Sequence, residues 1–316
     1  MEQLKYPIQF VSIPKERIWG GDKLKGKFPE VLSEAKIGES WEISTVENDV
    51  SIVSHGFFKG RSLQNLIEEY KEAFLGDKNY TRFGNQFPLL IKILDATDDL
   101  SIQVHPNDEL AKKRHNSFGK TEMWYVMDAE ENTSLILGFN QNISKKQYKN
   151  ILKMGDLEHY LNYEQVKKGD SFFVEAGLIH AIGKGAMIAE IQQTSDLTYR
   201  VYDWGRKDAH GRQRELHTDL ALDALKYHQI DNSRIIKKGD NLIKNHYFTV
   251  NELDVAQNKL VRDLKTIDSF VIYIIVEGNA KINDTSLKKG ETILFPAIYN
   301  GKINLKGKGK VLEVYI

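Results

Sequence analysis

A short pattern occurs twice in the sequence: a Lys-Lys pair, a glycine, an acidic residue and then a strand-like apolar run. The first copy is KKGDSFFVEAGLIH (167–180), and the second is KKGETILFPA (288–297). A strand-rich run precedes each copy, at 122–139 for the first and at 270–283 for the second. Repetition of one supersecondary unit predicts two copies of one antiparallel β-barrel.

The second copy lacks a residue that the first copy carries. The first ends on His180, whereas Ile298, Tyr299 and Asn300 follow the corresponding turn of the second. We therefore expect the second barrel to be degenerate and unable to repeat the chemistry of the first. The predicted domains are 1–235, a barrel with helical insertions that keeps the candidate chemistry, and 236–316, a degenerate C-terminal barrel.

Three segments have a helical period of apolar residues, at about 62–76, 144–162 and 215–228. Ser62 can cap the first of these helices, and Gly76 ends it. The remaining chain is strand-like and lacks the alternation of strands and helices that a parallel sheet requires. The predicted fold class is mainly β: two antiparallel jelly-roll barrels with small helical insertions.

Composition excludes several classes of protein. Lysine plus arginine equals aspartate plus glutamate, 44 each, which argues against nucleic acid or an anionic membrane as a partner. With no cysteine, the chain has no disulfide, thiolate zinc site, iron–sulfur cluster or cysteine nucleophile. The start, MEQLKYPIQF, lacks the apolar core of a signal peptide, and the apolar run FVIYIIV (270–276) is too short to span a bilayer. We expect a soluble cytoplasmic protein.

The run SIQVHPND (101–108) alternates before its proline. Ile102 and Val104 would face one side of a strand, and Gln103 and His105 the other. A core face would be apolar, and a solvent face more usually carries Lys, Glu or Thr. Gln103 and His105 are therefore candidate functional residues.

His105 and His180 each close a short β run at a turn, where a barrel points side chains into its mouth. Two imidazoles and a carboxylate suit zinc or iron(II), and Glu122, at the start of a strand, is the natural carboxylate. The amide oxygen of Gln103 can be a fourth ligand. Each residue alone has an ordinary explanation as a turn, surface or exposed polar residue. Taken together, a metal site accounts for them as well as those separate explanations do. The remaining histidines are interpreted as surface or capping residues: His55, His115, His159, His210, His217, His228 and His246.

Several motifs resemble known families. GDSFFVEAGLIH (169–180) resembles the second signature of the cupin barrel, with Glu175 where a proline is usual. A longer set is similar to the type I mannose-6-phosphate isomerases, in particular their short bacterial form. These motifs are WGG (19–21), IGESWEIS (37–44), FPLLIKILDATDDLSIQVHPND (87–108), GKTEMWYV (119–126), AGLIHAIGKG (176–185) and EIQQTSDLTYRVYDWGR (190–206). The resemblance runs from about residue 7 to 220 and continues weakly through the C-terminal barrel.

The resemblance implies roles for particular residues. The ligands of one zinc ion would be Gln103, His105, Glu122 and His180. Arg200 matches the catalytic arginine of the family. Positions near the substrate would be taken by Lys92, Ser101, Lys120 and Glu190. Longer members of the family insert a helical domain that this chain is too short to contain in full.

The implied function is a zinc-dependent interconversion of mannose 6-phosphate and fructose 6-phosphate through a cis-enediol. Arg200 would place permanent positive charge near the reacting oxygens. The base stays open between Glu190, a zinc-bound water and a lysine. The expected partner is a small sugar phosphate, and the chain is expected to be a monomer or a homodimer.

Two other functions remain as alternatives. An iron(II) cupin oxygenase would use the same two histidines and carboxylate. A non-catalytic sugar-phosphate-binding cupin would keep the pocket without turnover, because the fold alone does not fix the function.

Overall fold

The fold is mainly β, as predicted, in a computed structural model that describes residues 2–31, 34–207, 211–230, 232–256 and 259–316. The strands are β1 (Ile13–Gly21), β2 (Ile37–Ile43), β3 (Leu89–Asp95), β4 (Ile102–Val104), β5 (Glu122–Ala129), β6 (Ser134–Phe139), β7 (Leu161–Gln165), β8 (Ser171–Val174), β9 (His180–Ile182), β10 (Ala186–Gln193), β11 (Tyr199–Tyr202), β12 (Asn241–Lys244), β13 (Thr249–Asp254), β14 (Leu260–Asp263), β15 (Val271–Ile282), β16 (Thr285–Lys288), β17 (Thr292–Phe295) and β18 (Lys302–Tyr315). The α-helices are α1 (Leu63–Leu75), α2 (Asp77–Phe83), α3 (Asp108–His115), α4 (Lys145–Met154) and α5 (Thr218–Ala224). Within the described residues, none of these helices has the length and apolarity needed to cross a membrane.

The chain forms two compact units. The first consists of Met1–Ile13, Trp41–Ile91 and Ile235–Ile316, and the second of Pro14–Ser40 and Lys92–Arg234. One boundary between the units falls next to the predicted domain boundary at 235. The segment 41–91, which includes α1, belongs to the first unit, together with the C-terminal sheet. As functional domains, the two predicted ranges stay a prediction.

The second unit contains two sheets. One has the strand order β11-β4-β9-β6-β7, and the other contains β10, β5 and β8 within the order β1-β2-β3-β10-β5-β8. The strands of the first sheet pair antiparallel, as do β10, β5 and β8 of the second, which is expected of a jelly roll. In the described residues, the sheets remain open and do not close into one hydrogen-bonded barrel.

A row of paired residues crosses the first of these sheets. Arg200 lies opposite Gln103, and Gln103 lies opposite His180. His180 in turn lies opposite Leu137, which belongs to an apolar core that also contains Trp124 of the other sheet. Because residues opposite one another share a face, the whole row points into the interior of the unit.

The facing sheet points carboxylates into the same interior. Glu122 lies opposite Gln192 on one side and Val174 on the other, and Val174 belongs to the same apolar core. Glu190 precedes Gln192 by two residues, so it shares that face. The alternation of the strands therefore places polar side chains from both sheets in one interior.

The predicted repeat is present in the structure. Gly169 and Gly290 have positive φ angles of 92° and 87°, a conformation that glycine adopts without steric cost. After each glycine a short strand pairs with the preceding long one, β8 with β5 and β17 with β15. Both copies thus fold in the same way.

The first predicted helix is confirmed at both ends. The Ser62 hydroxyl accepts a hydrogen bond from the Asn65 amide at 3.0 Å, and α1 ends at Leu75, directly before Gly76, whose φ is 93°. α2 follows directly and was not predicted. It is too short to show a clear apolar period.

The other two helices are shorter than predicted. The helix expected over 144–162 ends at Met154 because Gly155 adopts the left-handed conformation, with φ 74°. A short 3₁₀ turn, Leu157–Tyr160, then leads into β7. The helix expected over 215–228 spans only α5, because Leu225 returns to an extended conformation.

The C-terminal part of the first unit forms a sheet of order β12-β13-β18-β15-β16, with β14 against β18 and β17 against β15. A buried carboxylate lies in it: Glu313 accepts hydrogen bonds from Arg262, Tyr273 and Asn251. Among the described residues of this unit, no group of histidines and carboxylates comes together as a metal site would require.

Candidate metal centre and active site

His105, Glu122 and His180 converge in the second unit. Their ligand atoms all lie within 4.8 Å of one another, and the three side chains are buried. His105 directly follows β4, while Glu122 and His180 are the first residues of β5 and β9. Three of the four predicted metal ligands therefore meet at strand ends, as the sequence indicated.

Backbone carbonyl groups fix the protonation of both rings. His105 Nδ1 lies 2.7 Å from the Leu197 carbonyl oxygen, and His180 Nδ1 lies 2.8 Å from that of Leu178. A carbonyl only accepts, so each Nδ1 carries the proton and donates it. Each Nε2 therefore presents a lone pair, which is the form that a metal binds.

The distances suit a tetrahedral metal ion. His105 Nε2 and His180 Nε2 are 3.1 Å apart, and Glu122 Oε1 is 3.4 Å from His105 Nε2. Two nitrogens bound to one zinc ion at tetrahedral angles lie about 3.3 Å apart. Glu122 Oε2 is buried and has no hydrogen-bond partner among the described residues. Two facing lone pairs and an unpaired carboxylate oxygen are unfavourable without a cation between them, so the residues fit a divalent metal.

Lys120 already brings positive charge to these atoms. Its Nζ contacts Glu122 Oε1 and lies 3.2 Å from His105 Nε2. Burial alone would lower the pKa of Lys120, but the carboxylates of Glu122 and Glu190 outweigh it and the pKa is raised. Lys120 therefore stays an ammonium at neutral pH.

Gln103 lies at the edge of this cluster. Its Nε2 is 3.4 Å from His180 Nε2, and its side chain is half-buried. Rotating the amide by half a turn exchanges its nitrogen and oxygen and would present the oxygen to the same place. Gln103 thus has the position of a fourth ligand, but not the close contacts of the other three.

Burial keeps the two imidazoles neutral. It lowers the pKa of His105 well below its usual value and lowers that of His180 to about 4. Burial and then the neighbouring Glu190 raise the pKa of Glu122 to about 7. Neutral imidazole is the ligand form of histidine, so burial prepares the two rings for a metal at neutral pH, whereas a metal bound to Glu122 would displace its proton.

Glu190 is surrounded by hydrogen-bond donors. Its Oε1 lies 3.3 Å from Lys92 Nζ and 3.9 Å from Lys120 Nζ, and its Oε2 accepts the indole N–H of Trp124 at 3.1 Å. Burial alone would raise the pKa of Glu190, but the ammonium groups of Lys120 and Lys92 outweigh it and lower the pKa. Glu190 is therefore a buried carboxylate at neutral pH, adjacent to the candidate metal ligands.

Ser101 and Arg200 are neighbours of Gln103, one along the chain and the other across the sheet. Ser101 is buried and precedes β4, two residues before Gln103. Arg200 lies opposite Gln103 in the sheet, and its guanidinium Nη1 donates to the Glu215 carbonyl at 2.9 Å. In the part of the chain that the structure describes, the hydrogen bonds of Arg200 do not reach His105, Glu122 or His180.

The guanidinium groups near Arg200 outnumber the carboxylate of Asp203, which pairs with both Arg206 and Arg214. Burial and then the nearby guanidinium of Arg214 lower the pKa of Arg200, and Arg206 and Arg17 act in the same direction. The buried Nε of Arg200 has no hydrogen-bond partner among the described residues. An anion with oxygen acceptors would find both charge and a donor here.

Sequence reasoning missed several of these groups. Trp124 was not singled out from the sequence, although its indole N–H donates a hydrogen bond to Glu190. The Leu178 and Leu197 carbonyls carry no sequence signal, since every residue has one. Six of the histidines interpreted as surface or capping residues are exposed or, like His217 at the start of α5, half-buried; His210 lies outside the described residues.

The fold and site define a cupin-type protein with a buried candidate metal centre. The model of the phosphomannose isomerase type I catalytic domain matches residues 9–138, and that of the mannose-6-phosphate isomerase cupin domain matches 238–316. Mannose-6-phosphate isomerase ManA of Bacillus subtilis is 35% identical, over 98% of this chain and 99% of its own. The Streptococcus mutans mannose-6-phosphate isomerase is 36% identical over 92% of both chains. The crystal structure of the mannose 6-phosphate isomerase from Bacillus subtilis superposes with a TM-score of 0.86, at 34% identity over 98% of this chain and 99% of that one.

The chain therefore belongs to the type I phosphomannose isomerases. It is an isomerase by that membership, and the resemblance inferred from its motifs is confirmed over nearly the full length.

Proposed function

We propose that this protein is a zinc-dependent isomerase that interconverts mannose 6-phosphate and fructose 6-phosphate through a cis-enediol. The observation that carries the proposal is the buried cluster of His105, Glu122 and His180 in a chain of this family. Two imidazoles with a carboxylate are a donor set that zinc prefers. Zinc held by these residues, with Gln103 as a candidate fourth ligand, would supply a Lewis acid to the sugar oxygens.

Glu190 is the side chain best suited to move the proton between C1 and C2. It is a carboxylate at neutral pH and therefore able to accept a proton, whereas Lys120 stays protonated. Glu122 is the expected metal ligand and is not free for this role. Of the bases left open by the sequence, the surroundings of Glu190 favour it over a lysine.

Lys92, Lys120 and Ser101 would position the open-chain sugar. The carboxylate of Glu190 already balances charge on both lysines. Their N–H groups therefore suit the neutral hydroxyls of the sugar more than its phosphate. Holding the chain in one orientation lowers the entropic part of the barrier.

Arg200 would attract the anionic parts of the substrate. A guanidinium does not deprotonate in proteins, and this one lies in an excess of positive charge with an unpartnered N–H. Both features suit a phosphate or an enediolate. The cytoplasmic location and the monomeric or homodimeric state stay predictions.

Arg200→Ala is expected to lower kcat by about 10²-fold, the loss typical of removing one preorganised donor from a developing charge. The zinc content should not change, because none of the hydrogen bonds of Arg200 to described residues involves a candidate metal ligand. Turnover and metal analysis of the same preparation measure both. Arg114→Ala, which removes a half-buried guanidinium paired with Asp223, should leave both unchanged. Near-normal turnover of Arg200→Ala would show that this role is wrongly assigned.

The test of the proposed function is a coupled assay for fructose 6-phosphate formed from mannose 6-phosphate, with metal analysis of the purified protein. We expect one zinc ion per chain, loss of turnover with a chelator, and recovery on adding Zn²⁺. No turnover in zinc-loaded protein would favour a non-catalytic sugar-phosphate-binding cupin. Bound iron(II) with substrate-dependent oxygen uptake would favour the oxygenase.

A further inference from the structure

The two candidate histidine ligands, His105 and His180, are held by carbonyl groups from different parts of the chain. The carbonyl that holds His180 belongs to Leu178, two residues earlier in the same turn. The carbonyl that holds His105 belongs to Leu197, which is distant in sequence and lies between β10 and β11. Residues 194–198 form no strand or helix, so no ladder of backbone hydrogen bonds fixes this carbonyl.

The segment that carries Leu197 is held by the side chain of Gln192. Gln192 Nε2 donates to the Ser195 carbonyl at 2.6 Å and to the Gln193 carbonyl at 2.8 Å. The Ser195 amide donates to the Gln193 carbonyl at 2.7 Å, and the Ser195 hydroxyl accepts from the Leu197 amide at 3.3 Å. One buried amide thus ties the end of β10 to the residues that position the Leu197 carbonyl.

The orientation of this amide is unambiguous. Its nitrogen faces two carbonyl oxygens, so exchanging nitrogen and oxygen would place three acceptors together. Gln192 is fully buried, and its own Oε1 has no hydrogen-bond partner among the described residues. The side chain keeps this arrangement despite an unsatisfied oxygen, so the two donated bonds determine where it lies.

We propose that Gln192 is a positioning residue of the metal centre, acting through the 193–197 segment and the Leu197 carbonyl on the ring of His105. Gln192 also lies opposite Glu122 in the sheet. The residue that would orient His105 is therefore a direct neighbour of a second candidate ligand. Partners that fix the tautomer and the angle of a ligating histidine control its affinity for the metal. The inference deepens the proposed function and rests on its metal site.

Gln192→Leu tests this, because leucine keeps much of the side-chain volume and donates nothing. The Kd for Zn²⁺, measured by competition with a chromophoric chelator, should rise about 10- to 100-fold. In zinc-free protein, the Nδ1–H signal of His105 in histidine ¹⁵N–¹H spectra should weaken or disappear. The His180 signal should persist, since its hydrogen bond to Leu178 is local.

Asn79→Leu is the matched control in the other compact unit. Asn79 is also a buried amide that donates two hydrogen bonds, to the Leu75 carbonyl and the Ser269 hydroxyl at 3.0 Å each. Its loss should lower the thermal stability to a similar extent and leave the Kd for Zn²⁺ unchanged. This separates a general loss of stability from an effect on the metal centre.

An unchanged Kd together with an intact His105 signal in Gln192→Leu would overturn the inference. If that variant does not fold, Ser195→Ala carries the test: it removes the acceptor of the Leu197 amide, and the same two unchanged readouts would overturn the inference. A wild-type protein that binds no Zn²⁺ would instead contradict the proposed function. The His105 signal would then still decide whether Gln192 positions the ring.

Discussion

His180→Ala is expected to lower kcat/KM by about 10³-fold, because it removes a ligand of the ion that supplies charge stabilisation worth several kcal/mol. The histidine lies between the other candidate ligands, with its Nε2 3.1 Å from His105 Nε2 and 3.4 Å from Gln103 Nε2. Without it, two of the closely clustered donors remain, too few for a closed zinc site. Steady-state kinetics and metal analysis after dialysis would show loss of turnover and of zinc together.

The folded state must be checked separately, because the His180 ring also packs edge-on against Trp124. Circular dichroism of the variant should match the wild type. His159→Ala removes an exposed histidine of the same unit and should leave both kcat/KM and zinc content unchanged. A His180→Ala protein that loses its zinc but keeps wild-type turnover would show that the metal has no part in the reaction.

Glu190→Gln is expected to lower kcat by about 10²- to 10⁴-fold, the range for removal of a general base. The amide has nearly the same shape, and its oxygen can still accept the indole N–H of Trp124. It cannot accept a proton from carbon, so the loss should appear in kcat, with a smaller change in KM. Zinc content should stay at the wild-type value, because Glu190 lies outside the ligand cluster.

A second buried carboxylate provides the control for this variant. Glu313 of the C-terminal sheet is fully buried and paired with Arg262. Glu313→Gln should lower the stability, because it leaves the Arg262 guanidinium without its charge partner, and should not change kcat. If Glu190→Gln kept kcat within twofold of the wild type, the proton would have to be carried by another group.

The positions of the candidate ligands were predictable because strand geometry is local. Alternation along 101–105 put Gln103 and His105 on one face, and the structure places His105 in the buried cluster with Gln103 at its edge. The duplicated glycine turn identified His180 as the end of the first copy, and it is the first residue of β9. Two-residue periodicity needs no knowledge of neighbouring strands, so the sequence was sufficient.

Other features depended on contacts between distant segments. Lys120 was expected beside the substrate, and the structure places it against Glu122 and His105. The helix predicted over 144–162 was too long, because apolar residues beyond Gly155 continue the helical spacing. In the structure those residues belong to a 3₁₀ turn and a strand. Periodicity records which residues are buried, and different backbones can bury the same residues.

The chain's own order of residues determined the fold class, the duplication and the identity of the residues that face the interior, because these follow from patterns a few residues long. Only the tertiary structure decided which nitrogen of each histidine is free, which carboxylate is paired, and how Gln192 reaches the segment that holds His105. These features depend on hydrogen bonds between side chains and backbone carbonyls that are not neighbours in sequence. Such groups come within hydrogen-bonding distance only when the chain has folded.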